Sequence, residues 1–314
     1  MSRDICIFQS FLTPAHKAQI TAAAEAAGMT PYFFTKDQFN AARDCVQHCE
    51  VLYAASPDLL RTAPATLKWY CASSAGVDAY CRDESLFANP NCLLSNSNAY
   101  GVTIAEHTIM VTLMLLRQMP AYLDAARAHR WAAPAPVRSI HGCRVTILGT
   151  GDLGGNIARR MRGMGAEKII GLSRSGKARE AGIFDETYPI SQLDRLLSDA
   201  ELLVMALPNT PETVNILNRE RIARLPNEAI VINVGRGSAL DQAALAEALN
   251  TDHIAGAALD VVDPEPLPEN DPLWDTKHLI LTPHISGNLT LGYMWSCSAR
   301  TLPTTPLGGL YPTL

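Results

Sequence analysis

Residues 144–154 read Arg144-Val145-Thr146-Ile147-Leu148-Gly149-Thr150-Gly151-Asp152-Leu153-Gly154. A short apolar run with β-branched residues passes directly into a G-x-G-x-x-G pattern, and a helical stretch follows over Asn156–Met164. Strand, glycine-rich turn and helix in that order open a βαβ unit. The three glycines permit a tight turn, a close approach of backbone to a pyrophosphate, and close helix–strand packing. The helix N-terminus then offers backbone N–H groups to the phosphates. The pattern alone is a weak signal, and the bland alternative is a glycine turn with no ligand. The strand before it and the helix after it favour a dinucleotide site.

Working outward, apolar runs recur at Lys168–Leu172, Leu202–Leu207, Ala229–Val234, Ile254–Leu259 and Leu279–Thr282. Most are continuous, as strands buried on both faces should be. Their spacing of roughly 25–35 residues leaves room for one crossover helix each. On the other side lie candidate strands Ile5–Phe8, Pro31–Phe34, Val51–Ala55, Lys68–Ala72 and Cys92–Ser95, with a helix over Ala15–Ala27. A long apolar helix is expected from Thr103 to Arg117, and Trp131–Ile140, with Pro134 and Pro136, reads as a connector. The alternation specifies an α/β protein built on parallel sheets.

The 314 residues suggest two domains at about 150 residues each. Hydrophobic residues at 47% and charged residues at 18% exclude a disordered chain or a coiled-coil rod. A net charge of −5 argues against a nucleic-acid binder that works through bulk positive charge. No apolar run of about 18 residues occurs, so no membrane span is expected. The first residues read as a strand and not as a signal peptide. Eight scattered cysteines fit reduced thiols in a cytoplasmic protein. Cys45, His48 and Cys49 form one cluster, but no second ligand pair is near it in sequence. No metal site is expected, and the cluster reads as helix packing.

The residues that follow the strands are Gly149, Ser173-Arg174, Pro208, Gly235-Arg236, Asp260 and His284. Ligands of an open doubly wound sheet bind at that edge. Asp or Glu after the second strand would hold a free ribose 2′-hydroxyl. Here Ser173, Arg174 and Ser175 stand instead, with Lys177 behind, a set suited to a 2′-phosphate. The cofactor expected is therefore NADP, with NAD possible. Arg236, flanked by Gly235 and Gly237, can hold a carboxylate and polarise a carbonyl. His284 with Glu265, in its proline-rich loop, makes a proton donor of the kind that ketone reduction needs. Ala75 and Gly76, in the loop Ser74-Ala75-Gly76-Val77-Asp78, can present backbone N–H groups to an anion. His107, inside the apolar helix, reads as a buried structural residue.

Taken together, these motifs resemble the D-isomer-specific 2-hydroxyacid dehydrogenase family over residues 45 to 290. The resemblance rests on Ala75-Gly76-Val77-Asp78, Ala105-Glu106-His107, Gly149 to Gly154, Asn233 to Gly237, Asp260-Val261 with Glu265-Pro266-Leu267, and Pro283-His284. It implies a fold class of α/β with two doubly wound parallel-sheet domains. Residues 1–98 plus 287–314 would form a flavodoxin-like substrate domain, and 99–286 a Rossmann nucleotide-binding domain that forms homodimers. It also implies that Arg236 binds the substrate carboxylate and carbonyl, that His284 exchanges the proton, and that Glu265 orients His284. Ala75 and Gly76 would hold the substrate carboxylate. Asp260 would meet the nicotinamide carboxamide, and Thr103 would lie near the cofactor. Glutamate at 265, where formate-oxidising relatives carry Gln, disfavours formate oxidation.

The activity implied is reduction of a small 2-oxoacid, of the glyoxylate or hydroxypyruvate kind, to a D-2-hydroxyacid. The rival reading is a nucleotide-sensing interaction protein on the same fold that does not turn over substrate. The tail departs from the family: Pro303 and Pro306 forbid a continuous helix after Gly292, and an irregular tail is expected.

Overall fold

The computed structural model describes residues 3–97 and 100–287, so the expectation for the tail lies outside the described residues. The chain divides into two compact units at Tyr100/Gly101.

The first unit contains β1 (Arg3–Phe8), α1 (Pro14–Ala26), β2 (Met29–Phe34), α2 (Phe39–Val46), β3 (Val51–Ala54), α3 (Pro57–Arg61), β4 (Trp69–Ala72), α4 (Asp78–Arg82) and β5 (Leu93–Ser95). All pairings are parallel, in the order β2-β1-β3-β4-β5, which is the flavodoxin-like order. Side chains alternate across the sheet. Cys6, Phe8, Leu52, Ala54, Tyr70 and Ala72 enter one core, whereas Ile5, Ile7, Val51 and Trp69 enter the other.

The second unit begins with α5 (Gly101–Leu116) and α6 (Met119–Arg127), followed by an irregular stretch over 130–139. Then come β6 (Arg144–Leu148), α7 (Asp152–Gly163), β7 (Lys168–Ser173), β8 (Glu186–Pro189), α8 (Leu193–Leu196), β9 (Leu202–Met205), α9 (Arg219–Ile222), β10 (Ile230–Asn233), α10 (Gln242–Asn250), β11 (Gly256–Leu259) and β12 (Leu279–Leu281). The seven strands are parallel in the order β12-β11-β10-β9-β6-β7-β8. Starting from β6, that is the doubly wound nucleotide-fold order with one added strand, and its switch point lies between β6 and β9. Both faces are covered: Val145, Ile147, Leu202, Val204, Ile230 and Ile232 face one core, and Leu148, Leu203, Met205 and Val231 the other.

The α/β class and the two parallel sheets are as the sequence indicates. β8 carries no signal in the sequence, because Glu186-Thr187-Tyr188-Pro189 is a half-buried edge strand without an apolar run. Several strands are shorter than their apolar runs. Leu202–Leu207 pairs only as far as Met205, since the chain must leave the sheet to form the loop at its edge. No helix of the described residues is long and apolar enough to cross a membrane.

The join of β6 to α7 is the tightest packing at this edge. A Cβ on Gly154 would lie 1.8 Å from the carbonyl oxygen of Gly149, a backbone atom that cannot swing away, whereas one on Gly151 would meet nothing within 4 Å. Gly154→Ala should therefore destabilise the protein by roughly 1–3 kcal/mol, and Gly151→Ala should leave stability nearly unchanged. Thermal unfolding of both variants checks this, and equal melting temperatures would refute the packing assignment.

Candidate active site

The glycine-rich turn sits where β6 meets α7. Gly149 has φ +106°, and a Cβ there would strike the Ala206 carbonyl oxygen at 2.5 Å, so only glycine fits. Gly151 caps α7 in extended conformation, and Asp152 and Leu153 open its first turn. Their backbone amides have no intrahelical acceptor, as at any helix start. The open space at Gly151 and the start of a 12-residue helix form a cradle that a diphosphate fits. The start of α5 packs against it, because a Cβ on Gly101 would meet Asp152 Oδ2 at 2.3 Å. Thr103, half-buried, belongs to that same first turn.

After β7 the chain turns through Ser173, Arg174, Ser175 and Gly176. Ser173 Oγ donates to the Lys177 carbonyl at 3.1 Å, and the Lys177 amide donates to Ser175 Oγ at 3.3 Å. Thr150 Oγ1 donates to the same carbonyl at 2.8 Å, which ties this turn to the glycine-rich one. Arg174 and Ser175 are exposed. No carboxylate stands at the end of β7. Pro208, after β9, is also exposed, and its carbonyl accepts from Thr213 Oγ1 at 2.6 Å.

Arg236 follows β10. Asn233 Nδ2 donates to the Arg236 carbonyl at 2.8 Å, and the Gly235 amide donates to Asn233 Oδ1 at 3.1 Å. The buried Asn233 thus fixes the turn that carries the guanidinium. A Cβ on Gly237 would lie 2.0 Å from the carbonyl carbon of Val262, so this turn is pressed against the loop that bears Glu265. That loop brings Glu265 Oε2 to 2.8 Å from His284 Nδ1, while Glu265 Oε1 accepts the Val262 amide at 3.2 Å. Both side chains stay open to solvent. His284 has φ +53°, a left-handed conformation uncommon outside glycine that the surrounding structure must support.

Asp260 provides that support. Its Oδ1 accepts the Thr282 hydroxyl at 2.6 Å and the Ile285 amide at 3.0 Å; its Oδ2 accepts the Ser286 amide at 3.0 Å and the Ser286 hydroxyl. The His284 amide donates to the Asp260 carbonyl at 2.8 Å. Four donors fill the lone pairs of the carboxylate, so it grips the His284 loop from both sides. Burial works against its charge, but the bonds from Ser286, Thr282 and the two amides outweigh burial and hold it below the usual carboxylate range. On the far side, His107 Nε2 lies 3.3 Å from Thr282 Oγ1 and 3.9 Å from Asp260 Oδ1. Burial pushes the His107 imidazole down, against the pull of Asp260. In the sequence His107 reads as a structural residue, and no motif singles out Thr282 or Ser286. The available signal was two hydroxyl residues bracketing Pro283-His284.

In the first unit, the loop after β4 has its carbonyls tied. Tyr100 Oη donates to the Ser73 carbonyl, the Ser97 amide to Ser74, Asn96 Nδ2 to Ala75 and Ser74 Oγ to Gly76, at 2.7, 3.0, 2.7 and 2.8 Å. Among the described residues no acceptor takes the amides of Ala75 and Gly76, which can therefore serve an anion.

The family model for the NAD binding domain of D-isomer specific 2-hydroxyacid dehydrogenases matches residues 109–286, more than half of the chain, and the protein belongs to that family of NAD(P)-dependent oxidoreductases. It is similar to the glyoxylate reductase/hydroxypyruvate reductase of Mus musculus, with 29% identity over 242 residues, 76% of this chain and 73% of that one. A family member from Aeromonas salmonicida superposes with a TM-score of 0.79 and 30% identity, over 96% of this chain and 94% of that chain. An NADPH-dependent glyoxylate/hydroxypyruvate reductase from Sinorhizobium meliloti, solved with NADP and sulfate, gives a TM-score of 0.75 and 28% identity, over 94% and 92%.

Asp260→Asn places N–H groups opposite donors and should lower stability by roughly 1–3 kcal/mol at neutral pH. A carboxylate whose pKa is depressed on folding adds stability above its ordinary pKa of ~3.9 and loses it as pH falls through the folded value. The gap between wild type and Asp260→Asn should thus narrow in acid. Melting curves at neutral pH and at about pH 3 test it, and a constant gap would exclude the ionised clamp.

Proposed function

We propose that the protein is an NADPH-dependent reductase of small 2-oxoacids of the glyoxylate or hydroxypyruvate kind. The observation that carries the reading is His284 paired with Glu265 at 2.8 Å, on a loop pressed against the turn that bears Arg236. In this reading residues 99–286 form the nucleotide-binding domain, and residues 1–98 with 287–314 the substrate domain. Backbone groups of Gly149, Gly151, Asp152, Leu153 and Gly154 receive the pyrophosphate. Ser173, Arg174 and Ser175 receive the 2′-phosphate, and Thr103 and Pro208 flank the cofactor. Asp260 serves the cofactor through the loop it grips, because its own oxygens are filled.

A bound nicotinamide supplies the hydride. Arg236 pairs with the substrate carboxylate and polarises its ketone oxygen, and the amides of Ala75 and Gly76 take up carboxylate charge. His284 gives its proton to the oxygen as the alkoxide forms, with Glu265 fixing the ring through Nδ1. The NADP-bound relative from Sinorhizobium meliloti supports the choice of cofactor, as does the lack of an acid after β7.

NADPH consumption across a panel of 2-oxoacids, with NADH in parallel, tests this. Wild type should prefer NADPH, and Arg174→Asp should weaken NADPH far more than NADH. His284→Ala should lose about 10²–10⁴-fold in turnover. Equal or better use of NADH, or retained activity in His284→Ala, would overturn the respective assignment. No turnover with any oxoacid would favour the nucleotide-sensing reading.

We also propose a homodimer formed through the second unit. Trp131 is fully exposed, and Met110, Leu123 and Val137 are exposed on the neighbouring elements, an apolar display that a second copy would cover. Sedimentation should show a dimer that Trp131→Asp shifts to monomer, and a monomeric wild type would end the idea.

A further inference from the structure

The first unit carries a thiol cluster that the dehydrogenase chemistry does not use. Cys6 of β1 and Cys49, three residues past the end of α2, both lie against Cys45 of that helix. The sulfurs of Cys45 and Cys49 are 3.6 Å apart, the Cys49 thiol also donates to the Cys45 carbonyl at 3.2 Å, and the Cys6 thiol points at the Ala42 carbonyl at 3.8 Å. Cys6 and Cys49 are buried, whereas Cys45 is partly open to solvent. We propose that Cys45 and Cys49 form a peroxide-responsive dithiol, in which Cys45 is oxidised first and Cys49 resolves it to an intramolecular disulfide.

The local fold makes the pair. Past Val46 the chain tightens, with the His48 amide bonding to the Cys45 carbonyl at 3.0 Å and the Cys49 amide to the Val46 carbonyl at 3.2 Å. That winding lays the side chain of Cys49 over that of Cys45. A disulfide needs the sulfurs at about 2.05 Å, so they must close by about 1.5 Å. Cys49 lies in a turn outside the helix, where a side-chain rotation with a small backbone shift supplies that movement.

The cluster also sorts the two roles. A thiolate at Cys45 would have the thiols of Cys49 and Cys6 beside it, each able to turn its S–H from a carbonyl onto the charge; they draw Cys45 well below the ordinary thiol range against burial, with His48 adding to the effect. The dipole at the end of α2 opposes a thiolate there, but direct hydrogen bonds to the charge are the stronger influence. Cys49 is pushed up by its bond to Cys45, by burial, and by the charges of Cys45 and Asp4. Asp4 keeps a buried Oδ1 with no hydrogen-bond partner. The more accessible sulfur is therefore the one whose thiolate is favoured, the combination that marks an oxidation-sensitive cysteine beside a resolving one.

The chemistry balances with a hydroperoxide as oxidant. The Cys45 thiolate attacks the terminal oxygen, an S–O bond forms and the O–O bond breaks, and the leaving hydroxide or alkoxide takes a proton. Cys49 then loses its proton and attacks the Cys45 sulfur. The S–S bond forms, the S–O bond breaks, and the departing hydroxide leaves as water. Two thiols are oxidised and one peroxide is reduced.

The test is peptide mass spectrometry of the full chain after titration with hydrogen peroxide and alkylation. Trypsin releases residues 44–61, which contain Cys45 and Cys49 and no other cysteine, and residues 4–17, which contain Cys6. Peptide 44–61 should become lighter by two hydrogens and resist alkylation before the exposed Cys81 is oxidised, and dithiothreitol should reverse this. In Cys49→Ser, oxidation should stop at a Cys45 sulfenic acid that a cyclic dione traps. Any of three results overturns the proposal: alkylation of both thiols of 44–61 after Cys81 has been oxidised, a cross-link between 44–61 and 4–17, or Cys49→Ser with no trapped sulfenic acid.

Discussion

A parallel strand buried on both faces cannot carry an unpartnered polar side chain along its length, and everything chemical in this molecule follows from that constraint. β9 and β11 are apolar and buried throughout, β10 is so until its last residue, and β6 is so apart from exposed Arg144 at its start and the buried Thr146. The first side chains free to be polar are those that leave the carboxyl edge. Gly149, Pro208, Arg236, Asp260 and His284 all occupy such places, contributed by strands far apart in sequence. Parallel winding brings them to one edge without any long-range side-chain design.

The same constraint explains why the His284 loop needs a buried anion beneath it. The histidine is exposed and in a left-handed conformation, and its bond to Glu265 is open to water, where an ion pair contributes little. The Asp260 carboxylate is almost wholly buried and accepts four bonds. Hydrogen bonds to a buried charge are worth about 1.5–3 kcal/mol each. Loop geometry is therefore set by Asp260, and the exposed pair only refines the orientation of the ring. His107 completes the arrangement by backing Thr282, and its burial favours the neutral imidazole, which does not compete with the four donors for the carboxylate.

Much of this was legible in the sequence, for reasons particular to each element. Continuous apolar runs announced β6, β9 and β10, and Gly149 and Gly154 announced the turn between β6 and α7, because only glycine survives contacts of 2.5 Å or less with backbone oxygens. β8 was not legible: at the sheet edge Glu186 and Thr187 need no apolar pattern, and pairing with β7 alone makes them a strand. The partnership of Asp260 with Thr282 and Ser286 was hidden for a different reason. Serine and threonine look the same in sequence whether they face water or a buried carboxylate, and only the register of β11 beside β12 brings them together. The cysteines near position 45 read as helix packing, yet the turn after α2 adds a sulfur–sulfur approach that periodicity does not encode.

In both units a turn leaves backbone amides without a protein acceptor among the described residues, available to an anion. At α7 the donors are amides left over where a helix begins. In the loop after β4 they are the amides of Ala75 and Gly76, exposed because Tyr100, Ser97, Asn96 and Ser74 engage the neighbouring carbonyls and so fix the peptide planes. A site of this kind depends on the conformation of the loop more than on the residues that form it. This is why Ala75 and Gly76 carried so weak a signal of their own. The residues that determine such a site are the ones that hold its carbonyls. In the first unit those include Asn96 and Tyr100, which lie more than 20 residues away in sequence and in the fold hold the carbonyls of Ala75 and Ser73.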